Sequence, residues 1–162
     1  MISKKMVDAI NDQIQHELYS SYLYLSMAAH FDAENLAGFS NWMKVQTNEE
    51  REHAMKFYEY LYERGASVTL KAIQQPPTKF KKPLDVFHQV LEHEQKVTSL
   101  IEKLYELALK EKDYGTQVML QWFITEQVEE EKNVMEIISQ LEMAGDSPAM
   151  LMMLDRKLGE RK

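Results

Sequence analysis

Residues 39–60 read FSNWMKVQTNEEREHAMKFYEY, and a 3-4 stride through them passes Phe39, Met43, Gln46, Glu50, His53, Phe57 and Tyr60. Side chains at that spacing share one face of a helix. This face is apolar at both ends and polar in its middle. Three other stretches repeat the pattern. The first runs Val7, Ile10, Ile14, Glu17, Ser21, Tyr24, Ala28; the next runs Phe87, Val90, Glu94, Val97, Ile101, Leu104, Ala108; the last runs Leu120, Phe123, Gln127, Glu130, Val134, Ile137, Leu141. Charged groups buried that way cost several kcal/mol apiece unless something neutralises them. Two divalent cations would cancel the four carboxylates.

Helix breakers agree with this division. The five glycines (Gly38, Gly65, Gly115, Gly145, Gly159) and four prolines (Pro76, Pro77, Pro83, Pro148) all fall outside 4–33, 39–64, 84–112 and 116–144. Breakers confined to gaps mark helix ends. Short connections within each pair of helices predict two antiparallel hairpins. The link over 65–83 is much longer. A helix of about 28 residues is roughly 42 Å long, and an extended link of about 19 residues reaches roughly 60 Å. The expectation is an all-α four-helix bundle, helices two and three parallel, with one long crossover between them. A floppy loop over 65–83 is the alternative, and such insertions are uncommon in compact domains. A short fifth helix is expected over 148–158, opened by Asp146 or Ser147 with Pro148 at its first position. Its apolar set (Met150, Leu151, Met153, Leu154, Leu158) would fold onto its own bundle or pack against other subunits. The whole chain, 1–162, reads as one domain.

Composition narrows the partners. Of 162 residues, 28% are charged and 44% hydrophobic, with a net charge of −7. An acidic chain lacks the basic footprint of a nucleic-acid binder and favours cations. The absence of cysteine excludes disulfides, zinc fingers and iron–sulfur clusters. No apolar run approaches the roughly 18 residues that span a bilayer, and no apolar signal segment opens the chain. A cytoplasmic protein is expected.

Glu17, Glu50, Glu94 and Glu130 each lie near a helix midpoint, so the four carboxylates should meet in one layer. His53 follows Glu50 and Gln127 precedes Glu130 by three positions, a spacing that projects from one side of a helix. Ferritin-like di-iron and di-manganese bundles take one Glu from each of two helices and Glu-x-x-His from each of the others. This chain departs in its fourth helix, with Gln127-x-x-Glu130. One ion should be held by Glu17, Glu50 and His53. The other should be held by a shared Glu50 with Glu94 and Glu130, helped by Gln127. Oxygen ligands with one imidazole suit iron or manganese and do not exclude zinc. Glu49, Glu126 and Glu129 form a second acidic group, or an ordinary solvated face. Tyr24 is a core aromatic, or an electron donor to a redox metal beside it. Trp122 is expected in the core, and His16, His30, His88 and His93 on the surface.

From Ile2 to about Gly159 the chain resembles the bacterial and archaeal non-haem ferritins. The segments carrying the likeness are Glu17 to Tyr24 (ELYSSYLY), Glu49 to Ala54 (EEREHA), His93-Glu94, and Gln121 to Lys132 (QWFITEQVEEEK). The resemblance implies an iron-storage ferroxidase. Fe(II) is oxidised by dioxygen or peroxide at a di-iron centre inside each subunit, and ferric mineral is stored in a hollow cage of twenty-four subunits. On matching positions the centre is Glu17, Glu50, His53, Glu94, Gln127 and Glu130, with Tyr24 beside it. A third iron site would use Glu49, Glu126 and Glu129 with Glu130, and the fifth helix would line the fourfold contacts. Bacterioferritin would carry a haem-ligating Met at the position of Arg51 and a His at that of Glu130, so haem is not expected. Rubrerythrin would need a cysteine-rich tail. The rivals are a soluble di-iron oxidase or peroxidase without mineral storage, and a non-catalytic scaffold holding its acidic layer with water or zinc.

Overall fold

The computed structural model describes residues 1–162. It contains five helices and no strands: α1 (Lys4–Ala33), α2 (Ala37–Glu63), α3 (Pro83–Glu111), α4 (Tyr114–Ala144) and α5 (Pro148–Leu158). Side-chain caps open three of them. Ser3 accepts from the Met6 amide, Asp113 from Thr116 and Ser147 from Met150, each satisfying an amide that helix geometry leaves unpaired.

Two helices begin two residues earlier than expected, one held from a distance and one by its own cap. α2 starts at Ala37 with no side-chain cap from Leu36. Its free amides are taken instead by Asp155 of α5, which accepts from Gly38 at 2.9 Å and Phe39 at 3.0 Å. In α4 the Asp113 cap places Gly115 in the first turn, where its weak helix preference matters least.

Two apolar clusters fill the bundle ends. One joins Met6, Ile10 and Ile14 of α1 to Phe57 and Leu61 of α2, Ile101 and Ala108 of α3, and Leu120 and Phe123 of α4. The other joins Phe31 to Phe39, Phe87 and Ile137, with Leu154 and Leu158 of α5 on its edge. The start of α1 therefore lies level with the ends of α2 and α3 and the start of α4. Each sequential pair is antiparallel, and α2 and α3 are parallel.

The 64–82 link makes that topology possible by running the length of α1. Asn11 donates to the Ser67 carbonyl and accepts from the Thr69 amide; further along, Ser26 donates to the Pro77 carbonyl and His30 pairs with the Lys81 carbonyl. It is pinned at both ends, not a loose loop. His30 is half-buried by this contact, contrary to the surface position expected for it. α5 folds back through Leu154 and Leu158, yet leaves Met150 and Met153 46% and 64% exposed. It offers a docked face and a free one.

Phe57 and Phe123 are stacked with centroids 4.0 Å apart, and Phe57 is fully buried. Phe57→Ala should cost about 3–5 kcal/mol in denaturant unfolding. A loss below about 1 kcal/mol would show that this end of the core is not close-packed.

Candidate metal centre

Between the two apolar clusters lies a polar layer drawn from the middle of all four long helices. Glu17, Gln46, Glu50, His53, Glu94, Gln127 and Glu130 are all buried, none more than 4% exposed. Amides hold these acids in place. Gln13 donates to Glu17 at 2.8 Å. Gln46 donates through one nitrogen to both Glu50 and Glu130, each at 3.0 Å. Gln127 donates to Glu94 at 3.1 Å, and the Tyr24 hydroxyl donates to the other Glu94 oxygen.

Ligand atoms converge in two groups. Glu17, Glu50 and His53 offer atoms all within 4.8 Å of one another, and so do His53, Glu126 and Glu130. His53 belongs to both. Its Nδ1 lies 3.4 Å from Glu50 Oε2, and its Nε2 lies 3.9 Å from Glu126 Oε1. Glu17 Oε2 is buried with no hydrogen-bond partner, which is costly for a carboxylate oxygen and fits an acceptor aimed at a cation. The first trio matches the expected ligand set for one ion. Glu94, expected in the second set, joins neither group and is held by Tyr24 and Gln127 instead. Glu49 is half-buried and paired with Arg161, whereas Glu129 is exposed.

The electrostatics show the strain of packing these acids together. Burial, then repulsion from Glu50, raises the Glu94 pKa to about 8. Burial, then Glu94, does the same for Glu130, also to about 8. Glu17 is lifted well above the ordinary range by burial and by Glu50. Burial also opposes ionisation of Glu50, but hydrogen bonding and charge from His53 outweigh it and hold its pKa down. His53 is raised in turn: burial works against its charge, and Glu50, Glu130 and Glu126 overcome it. Tyr24 is raised well above its ordinary value by burial and the Glu94 and Glu50 charges. Exchanging those protons for divalent ions would neutralise the layer.

Other side chains also sit differently from expectation. Trp122 is 40% exposed, because Phe123 next to it takes the core position; its ring meets the edge of His53 at 5.4 Å. His93 is half-buried and not on the surface. It pairs with Ser20 Oγ at 2.7 Å and meets Tyr24 edge-on at 5.8 Å, and burial lowers its pKa to about 4. Gln13 and Gln46 were not expected as site residues. Both precede a ligand glutamate by four positions, so helical spacing alone could have marked them.

A buried bundle centre lined by carboxylates and one imidazole has the chemistry of a metal-handling helical protein. Comparison with known proteins agrees. Residues 7–144 match the model of the ferritin-like domain family. Over 161 residues, covering 99% of the chain, it is 43% identical to a bacterial non-heme ferritin of Bacteroides fragilis, covering all of that protein. It is 39% identical to one from Staphylococcus aureus, with 99% of the chain and 97% of that protein covered. An open pore ferritin from the archaeon Archaeoglobus fulgidus superposes with a TM-score of 0.99 at 48% identity, covering 100% of this chain and 99% of that one. The chain belongs to the ferritin family. It is an iron-storage protein.

The raised carboxyls fix the sign of a pH effect. Glu94 and Glu130 have folded values of about 8 against an ordinary 4.5, so the folded state holds protons that the unfolded chain has lost. Their stabilisation is complete below the ordinary value and disappears as pH rises through the folded one. The melting temperature of the metal-free protein should therefore fall across that window, and anaerobic Fe(II) should restore it. The pair of substitutions Glu94→Gln and Glu130→Gln should flatten the slope. An unchanged slope in that double variant would assign the pH dependence to other groups.

Proposed function

We propose that the chain oxidises Fe(II), its substrate, at an intrasubunit ferroxidase centre and passes Fe(III) to a mineral store inside a homo-oligomeric cage of twenty-four subunits. The observation that carries this reading is the convergence of Glu17, Glu50 and His53 in a buried layer that includes an unpartnered carboxylate oxygen. In this proposal Glu17, Glu50 and His53 hold one Fe(II). Glu94 and Glu130, with Gln127, hold a second close by and share Glu50 with the first. A third, weaker position uses Glu49, Glu126 and Glu129 with Glu130. Closeness matters because each Fe(II) then gives one electron to the same molecule of dioxygen or peroxide. Anionic oxygen ligands favour Fe(III) over Fe(II), which drives that transfer. Tyr24, hydrogen-bonded to Glu94, is placed to supply a further electron.

Cage assembly has the free face of α5 in its favour, with Met150 and Met153 exposed. A cytoplasmic setting fits a chain with no cysteine, and no helix is long and apolar enough to cross a membrane. An oxidase acting on an organic molecule would need room beside the metals. Phe57, Val90, Val97, Phe123 and Val134 fill that space, none more than 3% exposed. A pocket of about 410 Å³ lies at the bundle end, between Lys82, Leu141 and Ser147, and one of about 320 Å³ lies outside Trp122 and Phe123.

Replacing Glu50 and His53 together with Ala should abolish rapid Fe(II) oxidation, followed by ferric absorbance, while helicity is kept. The apo melting temperature could rise, since buried charge is removed. Oxidation at the parent rate would refute the site. Native mass measurement should give a cage of many copies; a monomer or dimer would remove the storage reading.

A further inference from the structure

The C-terminal tail makes a contact that the bundle's own packing does not require. Asp155 clamps α5 to the start of α2 through the Gly38 and Phe39 amides. A side chain at Gly38 would put its Cβ 1.5 Å from the Asp155 carbonyl oxygen, so this close approach depends on glycine. Beyond α5, Asn41 Nδ2 donates to the Arg161 carbonyl at 2.9 Å. The Arg161 guanidinium lies over the Trp42 ring, 4.5 Å from its centroid, and donates to the Trp42 carbonyl at 3.3 Å. These contacts aim its Nη2 at Glu49 Oε2, 2.5 Å away. A cation stacked on an aromatic ring and bonded to a carbonyl is held in position, unlike a wandering surface arginine.

We infer that Arg161 is a tethered counter-cation that competes with metal for Glu49, so that the tail sets how tightly the outer acidic group holds iron. The inference rests on the proposed role of Glu49 in a third iron position. The guanidinium and a divalent ion need the same carboxylate lone pairs, so an ion bound there must first release Arg161. The freed arginine stays beside its carboxylate because Asn41 still holds the backbone. It closes again when the ion departs. A weakened outer position passes Fe(II) on to Glu17, Glu50 and His53 instead of retaining it.

Anaerobic titration calorimetry with Fe(II) alone, on the assembled full-length protein, tests this. In Arg161→Gln the weakest ion should bind roughly fivefold to tenfold more tightly, with the affinities of the two tighter ions unchanged. Arg161→Lys, which keeps charge without the planar fork, should fall between. Gly38→Ala keeps the arginine but displaces the tail, and should shift the weakest ion in the same direction as Arg161→Gln. Native mass confirms that each variant is assembled. A purely structural ion pair would lower the melting temperature and leave ion affinities unmoved. That outcome, with Glu49→Gln still abolishing the weakest ion, overturns tail control and leaves the third position standing. A weakest ion that persists in Glu49→Gln overturns both.

Discussion

The repulsion among carboxylates confined between two dry apolar clusters is the constraint on which everything else depends. An acid at a helix surface would simply turn to water. Here Glu17, Glu50, Glu94 and Glu130 are shut in by Phe57 and Phe123 on one side and by Phe39 and Phe87 on the other. The layer responds in three ways. It recruits amide donors from Gln13, Gln46 and Gln127, it shares one proton-accepting histidine between two groups of acids, and it shifts three carboxyls toward neutrality. Each response is incomplete, and the Glu17 oxygen left without a partner marks where it fails. Function follows from that deficit. A core satisfied by hydrogen bonds alone would have little use for a cation.

Most of the architecture was legible because one pattern recorded two facts together. The 3-4 stride located the helices, and its central interruption located the layer. Link length then gave the parallel arrangement of α2 and α3, which the pinning of 67–81 along α1 explains. What sequence spacing could not supply was contact between distant residues. Asp155 caps α2 from across the fold, and no local signal announces a cap that arrives more than a hundred residues later. His93 reads as a surface residue because it is off the stripe, yet Ser20 of α1 draws it inward. Trp122 reads as core because tryptophan is large, but its neighbour Phe123 already fills that place. At the candidate site the residues that gather in the polar layer were legible, whereas their pairing was not. Hydrogen bonds that divert Glu94 toward Tyr24 and Gln127 depend on side-chain rotamers, which spacing does not determine.

The first half of α2 is held twice by the C-terminal segment. Its first turn is bound to α5, and Glu49, near its midpoint, is bound to the tail beyond α5. The helix with exposed Met150 and Met153 is thus mechanically joined to an acid next to Glu50. A displacement of α5 would therefore reach the acid beside Glu50 through two contacts, Asp155 and Arg161.

The division into two helical hairpins carries a consequence for how the chain is made. Glu17, Glu50 and His53 all lie before the link, so a ribosome has finished one complete ligand trio before the second hairpin emerges. While that first half stands alone, its acids are still wetted and need no partner. The penalty arrives only when the second hairpin closes over them. An ion held by the nascent half would lower that penalty, so the metal would bear on folding before storage began.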